Sequence, residues 1–186
     1  MKNKSFADNF VIDLLRFVPG VSLDCVVFGY RDGILNVLLL KHRNVDAWTL
    51  PGGFLLSYME MQDAAHDILY KRTGLQDIFL TQYHTFSSLH RGWDVNEQSR
   101  LAIAQVQSTW EVKHKELLTK WFHQRFISTA YLALIEADKA LLTTDYLSER
   151  CEWIPITDLP NLVLDHAQMI QMALEYLKVQ INYLPI

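Results

Sequence analysis

Glu60, Asp63 and Asp67 stand at i, i+3 and i+7, a spacing that puts three carboxylates on one helix face. Convergent carboxylates suit a hard divalent cation. The same spacing also describes a solvated acidic face, and Glu60 and Asp63 fit a first helical turn, where the helix dipole favours negative charge. Asp24 interrupts an apolar run and can accept hydrogen bonds from sugar hydroxyls or from its own surroundings. Lys41 ends one apolar run and Arg125 begins another, so each can take a phosphate or a hydroxyl. Trp48 and Phe54 flank Gly52-Gly53, where an aromatic face can stack on a base or a sugar, or pack in the core. Asp165-His166 has the composition of a catalytic pair, but no motif sets a serine or cysteine nucleophile beside it. The pair is expected to open the last helix, with Asp165 near its cap. His84, His90, His114 and His123 show no compact metal-ligand spacing. The candidate ligand-binding residues are thus Asp24, Lys41, Trp48, Phe54 and Arg125, with no catalytic residue, metal ligand or cofactor assigned.

The elements that would carry them follow from apolar periodicity and turn residues. Residues 21–30 and 34–41 are β-branched and aliphatic runs joined by Arg31-Asp32-Gly33, which predicts a hairpin. Phe6, Phe10, Leu14 and Phe17 recur at helical intervals until Pro19-Gly20, so residues 1–19 are expected to form a helical arm. After the Pro-Gly-Gly turn, Tyr58 to Arg72 lacks Gly and Pro and spaces Ala64, Ala65, Ile68 and Leu69 as a helix does, with Gly74 as its stop. Residues 77–86, 125–135 and 151–156 read as strands, and 164–184 as a C-terminal helix running from Asp165 to Asn182. Between two of these strands, residues 88–124 form an insertion in which Val95, Ile103, Val106, Trp110, Leu117 and Trp121 make an apolar helical stripe, opposite Glu111, Lys113, Lys115, Glu116 and Lys120. Such a stripe must be buried outside the core of the sheet, and a subunit interface is the expectation. The order of elements predicts a single α/β domain over 1–186, an α/β/α sandwich around a mixed sheet.

Composition bounds the function. A chain of 186 residues, half hydrophobic and with a formal charge of -4, builds one sizeable core and does not hold nucleic acid by its net field. Two distant cysteines, Cys25 and Cys151, supply neither a disulfide framework nor a four-ligand zinc site. No apolar run approaches the roughly 20 residues of a membrane helix, and the N-terminus lacks the core of a signal peptide, so the expected location is the cytoplasm, without membrane contact.

The stretch from Pro51-Gly52-Gly53-Phe54 to Thr73-Gly74-Leu75 resembles the Nudix box, in which strand, turn and helix present carboxylates to magnesium beside a diphosphate. Gly53 to Gly74 has the family's spacing, Leu69 is the aliphatic helix residue, and Leu75 holds the closing hydrophobic position. Counted from Gly53, the first glutamate position is Met59, the arginine position is Asp67, the next glutamate is Ile68, and the glutamate pair is Lys71 and Arg72. Apolar side chains and two cations do not replace hard oxygen ligands. At an effective dielectric near 20, unit charges about 4 Å apart interact by about 4 kcal/mol, so the sign reversal repels magnesium and favours phosphate or carboxylate. The resemblance thus implies the Nudix fold with a degenerate active site, and leaves enzymatic activity uncertain.

Residues 125–135, Trp153 with Pro155, Asp158-Leu159-Pro160 and the segment 164–186 are similar to the Nudix-related transcriptional regulators. In that branch a degenerate Nudix domain senses ADP-ribose, in NAD-metabolism repressors, or pentoses, in carbohydrate-utilisation regulators of Bacteroidetes, and a winged helix-turn-helix binds DNA. The resemblance implies a non-hydrolytic sensor of a sugar or ADP-ribose-like effector, a homodimer, and DNA contact only through a C-terminal domain absent from this chain. A magnesium-dependent hydrolase of a nucleoside-diphosphate derivative, using Glu60, Asp63 and Asp67, is the alternative, and a structural dimerisation module a third.

Overall fold

The computed structural model describes residues 14–43, 46–89, 91 and 112–182. Among these, a 7-stranded mixed sheet comprises β1 (Phe17–Arg31), β2 (Ile34–His42), β3 (Trp48–Thr49), β4 (Gly52–Leu56), β5 (Thr81–Phe86), β6 (Ile127–Glu136) and β7 (Ser148–Pro155). Three helices accompany it: α1 (Met61–Thr73), α2 (Val112–His123) and α3 (His166–Asn182). No helix of the described residues is long and apolar enough to cross a membrane.

β1 is the spine. Along one edge β6 runs parallel to it from Val21↔Ile127 to Tyr30↔Glu136. Its other edge is shared: β4 pairs antiparallel up to Asp24↔Gly52, and β2 pairs antiparallel from Phe28↔Val37 onward. β4 and β2 therefore part company between Asp24 and Phe28, and the sheet forks there.

Residues 23–28 are buried without a break because both faces of β1 are covered. Leu23, Cys25 and Val27 join the core that α1 closes with Ala64, Ala65, Ile68 and Leu69. Val26 and Phe28 join the opposite core, closed by Met169, Ile170 and Ala173 of α3. Each such aliphatic side chain contributes about 1.5–3 kcal/mol relative to leaving it in water. Asp24 alternates onto the α3 side, a buried acid in that second layer. α1 stops where predicted: Gly74 takes φ 77°, and its N–H donates to the Tyr70 carbonyl at 2.8 Å. A Cβ at Gly74 would also stand 2.6 Å from Thr143 Oγ1.

The α/β/α architecture, the hairpin and the three predicted strands are present, with β3 and β4 in addition, both too short to show periodicity. Two expectations change. Of the described residues in the predicted helical arm, only Leu14–Arg16 is helical, as one 3-10 turn, and Phe17 already starts β1. Pro19-Gly20 sits inside that strand, where the pairing with β4 slips between Phe17 and Ser22, so the Pro-Gly signal marks a bulge and not a helix stop. Residues 1–13, with Phe6 and Phe10, lie outside the described residues. In the insertion, α2 packs Trp121 of the predicted stripe inward but buries Leu118 and leaves Leu117 48% exposed. Leu118 packs with Leu14, Phe17, Trp121 and Phe122. Val95, Ile103, Val106 and Trp110 lie outside the described residues.

Candidate functional site

The fork opens a cavity of about 300 Å3 at Asp24, continuous along Gly52, Gly53, Phe54 and Arg72 with an outer cleft of about 740 Å3 that reaches Lys71, Asp67 and Arg16. Gly52 makes room for the acid. A Cβ there would stand 2.2 Å from Asp24 Oδ1, so only glycine fits opposite this aspartate on β4.

Asp24 is 6% exposed and collects partners from distant parts of the chain. Ser128 Oγ on β6 donates to Oδ2 at 2.5 Å, and Arg91 Nη2 approaches the same oxygen at 3.5 Å. Arg91 Nε donates to Asp165 Oδ2 at 2.7 Å. His166, the first residue of α3, turns its ring inward: Nδ1 accepts the Leu50 N–H at 3.1 Å, and Nε2 lies 3.6 Å from Asp24 Oδ1. Acceptance at Nδ1 places the proton of the neutral ring on Nε2, facing the carboxylate. Burial holds the His166 pKa below its usual value; Asp24 and Asp165 oppose this shift and Arg91 adds to it. With both acids ionised, the group of Asp24, Asp165, Arg91 and His166 holds two negative charges against one positive. Asp165 Oδ1 and the buried Thr49 hydroxyl have no hydrogen-bond partner among the described residues.

The outer cleft carries two ion pairs. Arg72 forms a close ion pair through Nη1 with Asp145 Oδ2, while its buried Nε has no partner among the described residues. Asp145 is itself fixed, its Oδ1 accepting the N–H groups of Leu147 and Ser148 at 3.0 and 2.9 Å. Lys71 pairs with Asp67 at 2.7 Å, and Arg16 donates to the Tyr58 hydroxyl at 2.8 Å. His42 lies between the two spaces, its pKa pushed down to about 4 by burial and by Arg72. The cover is aromatic: Phe54 meets Phe126 at 5.3 Å, Phe17 at 5.6 Å, Trp121 at 5.7 Å and Phe122 at 6.0 Å between ring centroids.

Of the sequence candidates, Asp24 and Phe54 line the cavity. Trp48 lies in the α3-side core, 8% exposed, with the Arg150 guanidinium 5.3 Å from its ring centroid. Lys41 pairs with Glu149 at 3.2 Å and lines neither space; β2 slips in register against β7 after it, and the neighbouring His42 faces the cleft instead. Arg125 is exposed and donates to the Ser87 carbonyl at 2.6 Å, also away from both spaces. Asp165 stands at the start of α3 as expected, its carbonyl accepting the Met169 N–H at 3.0 Å, while its carboxylate takes Arg91. Sequence reasoning missed Arg91, Ser128, Thr49 and His166 as parts of one site. A run of small polar residues, Ser128-Thr129, inside the apolar strand 125–135 was the one available signal.

The magnesium that a Nudix box implies does not fit these residues. Met59 and Ile68 pack with the α1-side core, and Lys71 and Arg72 are engaged with Asp67 and Asp145. Among the described residues no group of three His, Cys, Asp or Glu side chains is placed to hold a metal ion, which includes Glu60, Asp63 and Asp67.

No protein-family model matches the sequence, and no curated protein matches it. Solved structures do. The Nudix domain of Shewanella oneidensis NrtR complexed with ADP ribose is 21% identical with a TM-score of 0.62, over 94% of this chain and 99% of that one. Shewanella oneidensis NrtR complexed with a 27mer DNA is 21% identical with a TM-score of 0.56, over 86% of this chain and 63% of that one. A C. elegans Ap4A hydrolase binary complex is 14% identical with a TM-score of 0.56, over 88% of this chain and 98% of that one. The ADP-ribose-bound domain, the DNA-bound protein and the hydrolase thus share the architecture. The chain has the Nudix fold, built around a box whose carboxylate positions hold Met59, Ile68, Lys71 and Arg72.

Proposed function

We propose that this chain is the effector-sensing domain of a transcriptional regulator, taking a sugar or an ADP-ribose-like metabolite into the cleft at the fork of the sheet without hydrolysing it. One observation carries the reading: the cleft keeps its position beside the Gly-Gly turn, yet Arg72 and Lys71 replace the acids that would bring metal to a diphosphate. Convergent polar groups under an aromatic cover are the usual form of a small-molecule pocket. The likeness to an ADP-ribose-bound regulator domain supports the same class of ligand. In this reading the protein works in the cytoplasm as a homodimer, and DNA is contacted by a separate domain.

The test is thermal unfolding with ADP-ribose, NAD, L-arabinose and xylose, each with and without magnesium. Ligand at 100 times its dissociation constant adds about 2.7 kcal/mol, a shift of several degrees in the midpoint. A shift that does not need magnesium, with ligand recovered intact, is the expected result. Magnesium-dependent consumption of ligand overturns the non-hydrolytic reading, and no shift across the panel favours a structural module.

A further inference from the structure

We infer that His42 reads the effector where the inner cavity meets the outer cleft, its ring taking neighbouring hydroxyl groups of a sugar-like part of the ligand, one as donor and one as acceptor. This rests on the reading of the cleft as an effector site and goes further in naming the residue that selects the ligand and the groups it selects.

His42 lines both spaces. Of the other side chains that do so, Phe54, Phe122 and Leu147 are apolar and Arg72 is ion-paired with Asp145. The backbone aims the ring. β2 slips in register against β7 between Lys41 and His42, and a slip of this kind turns a side chain out of the strand's alternation. The position is then held from both sides. His42 N–H donates to the Ala47 carbonyl at 3.0 Å, and the next residue, Arg43, donates its N–H to the Leu147 carbonyl at 2.9 Å. The Arg43 guanidinium adds Nη2 to the Ser148 carbonyl at 3.0 Å and Nε to the Tyr146 carbonyl at 3.3 Å. A ring carried on such a backbone is placed before any ligand arrives, which lowers the ordering cost of binding.

Polar atoms below the surface normally have partners, and His166 keeps to this, its Nδ1 accepting the Leu50 N–H. The His42 ring is partly buried, yet it makes no hydrogen bond to any described residue, and neither nitrogen is sealed from the cleft. Burial and the Arg72 guanidinium, against the opposing pull of Asp145, keep the ring uncharged at neutral pH, with a pKa of about 4. It therefore offers one N–H donor and one bare nitrogen as acceptor. Neighbouring hydroxyls of a sugar answer both, because each can donate or accept. An ionised phosphate or carboxylate only accepts, and leaves the bare nitrogen facing oxygen lone pairs.

The test is equilibrium binding of ADP-ribose, L-arabinose and xylose at pH 7.5 to the full chain, wild type against His42→Leu, His42→Gln and Lys41→Gln. For a probe that the wild type binds, His42→Leu is expected to weaken binding about tenfold or more, since both hydrogen bonds are lost. His42→Gln, with a donor and an acceptor in its amide, is expected to keep part of the affinity, and Lys41→Gln, on the neighbour that lines neither space, to leave it unchanged. Nitrogen NMR of the wild-type ring, assigned by the signals that His42→Gln removes, does not depend on the folding of His42→Leu. It is expected to show one protonated and one bare nitrogen before and after the probe is added, with both signals displaced. Binding that His42→Leu leaves unchanged, ring signals unmoved by a bound probe, or a ring that takes up a second proton on binding each overturn the inference while leaving the effector-site reading in place. No binding by any probe overturns both.

Discussion

At Asp24 and Gly52 a single methyl group decides whether the site exists. Gly52→Ala puts a carbon 2.2 Å from Asp24 Oδ1 in a register fixed by β1 and β4, so the acid must leave Ser128 and His166 or the strands must part. Overpacking of this kind costs about 1–3 kcal/mol, readable as a lower denaturant midpoint. In an Asp24→Ala background only the Leu23 carbonyl at 3.1 Å still crowds that carbon, so Gly52→Ala is expected to cost less there, and a double-mutant cycle measures the difference. Equal costs in both backgrounds would show that Asp24 does not constrain this glycine. Asp24 was legible in the sequence because a carboxylate within an apolar strand must find partners. The partners were not: Ser128, Arg91 and His166 lie 104, 67 and 142 residues away along the chain, and no local periodicity reports contacts at that range.

Among the described residues, α2 rests on the smallest of the buried apolar clusters. It belongs to neither face of the sheet's double core and rests on a small cluster centred on Leu118 and Leu14. Leu118→Ala removes a side chain 1% exposed, a loss of about 2–5 kcal/mol in a well-packed core. Here the loss is expected to appear as local opening of Val112–His123, seen as faster amide exchange there, with the main unfolding transition little moved. A drop of the whole transition by that amount would mean that α2 unfolds with the rest. Because Phe122 reaches both spaces of the cleft, the same substitution should also weaken ligand binding. The helix was legible as an amphipathic segment, but its inward face was not. Leu117 and Leu118 are adjacent and equally apolar, and only the position of the sheet chooses between them.

For the molecule as a whole, two neutral histidines set the response to acid. His42 has a folded-state pKa of about 4 against 6.5 for the free side chain, held down by burial and by Arg72, and burial lowers His166 as well. The unfolded chain takes up these protons below pH 6.5 while the folded chain resists them, so stability is full above that pH. It falls as the pH drops through the window and levels off for His42 below about 4. The slope is about 1.4 kcal/mol per pH unit for each histidine. Denaturant unfolding at pH 7.5, 6.5, 5.5 and 4.5 measures it, and His42→Gln is expected to flatten the curve; an unchanged curve would place the acid response elsewhere. The α/β/α architecture was legible because composition, the hairpin and the glycine-bounded helix all agree on it, whereas the fork was hidden in the exchange of partners along one strand. The parallel pairing of β1 with β6 has a kinetic consequence. Val21 and Ile127 are neighbours in the sheet though about a hundred residues of chain lie between them, so the central pairing waits on a long loop closure. During synthesis the hairpin and α1 can form while one full edge of β1 stands open. Until residue 136 emerges, the central strand of the sheet presents its unpaired backbone to whatever strand comes near.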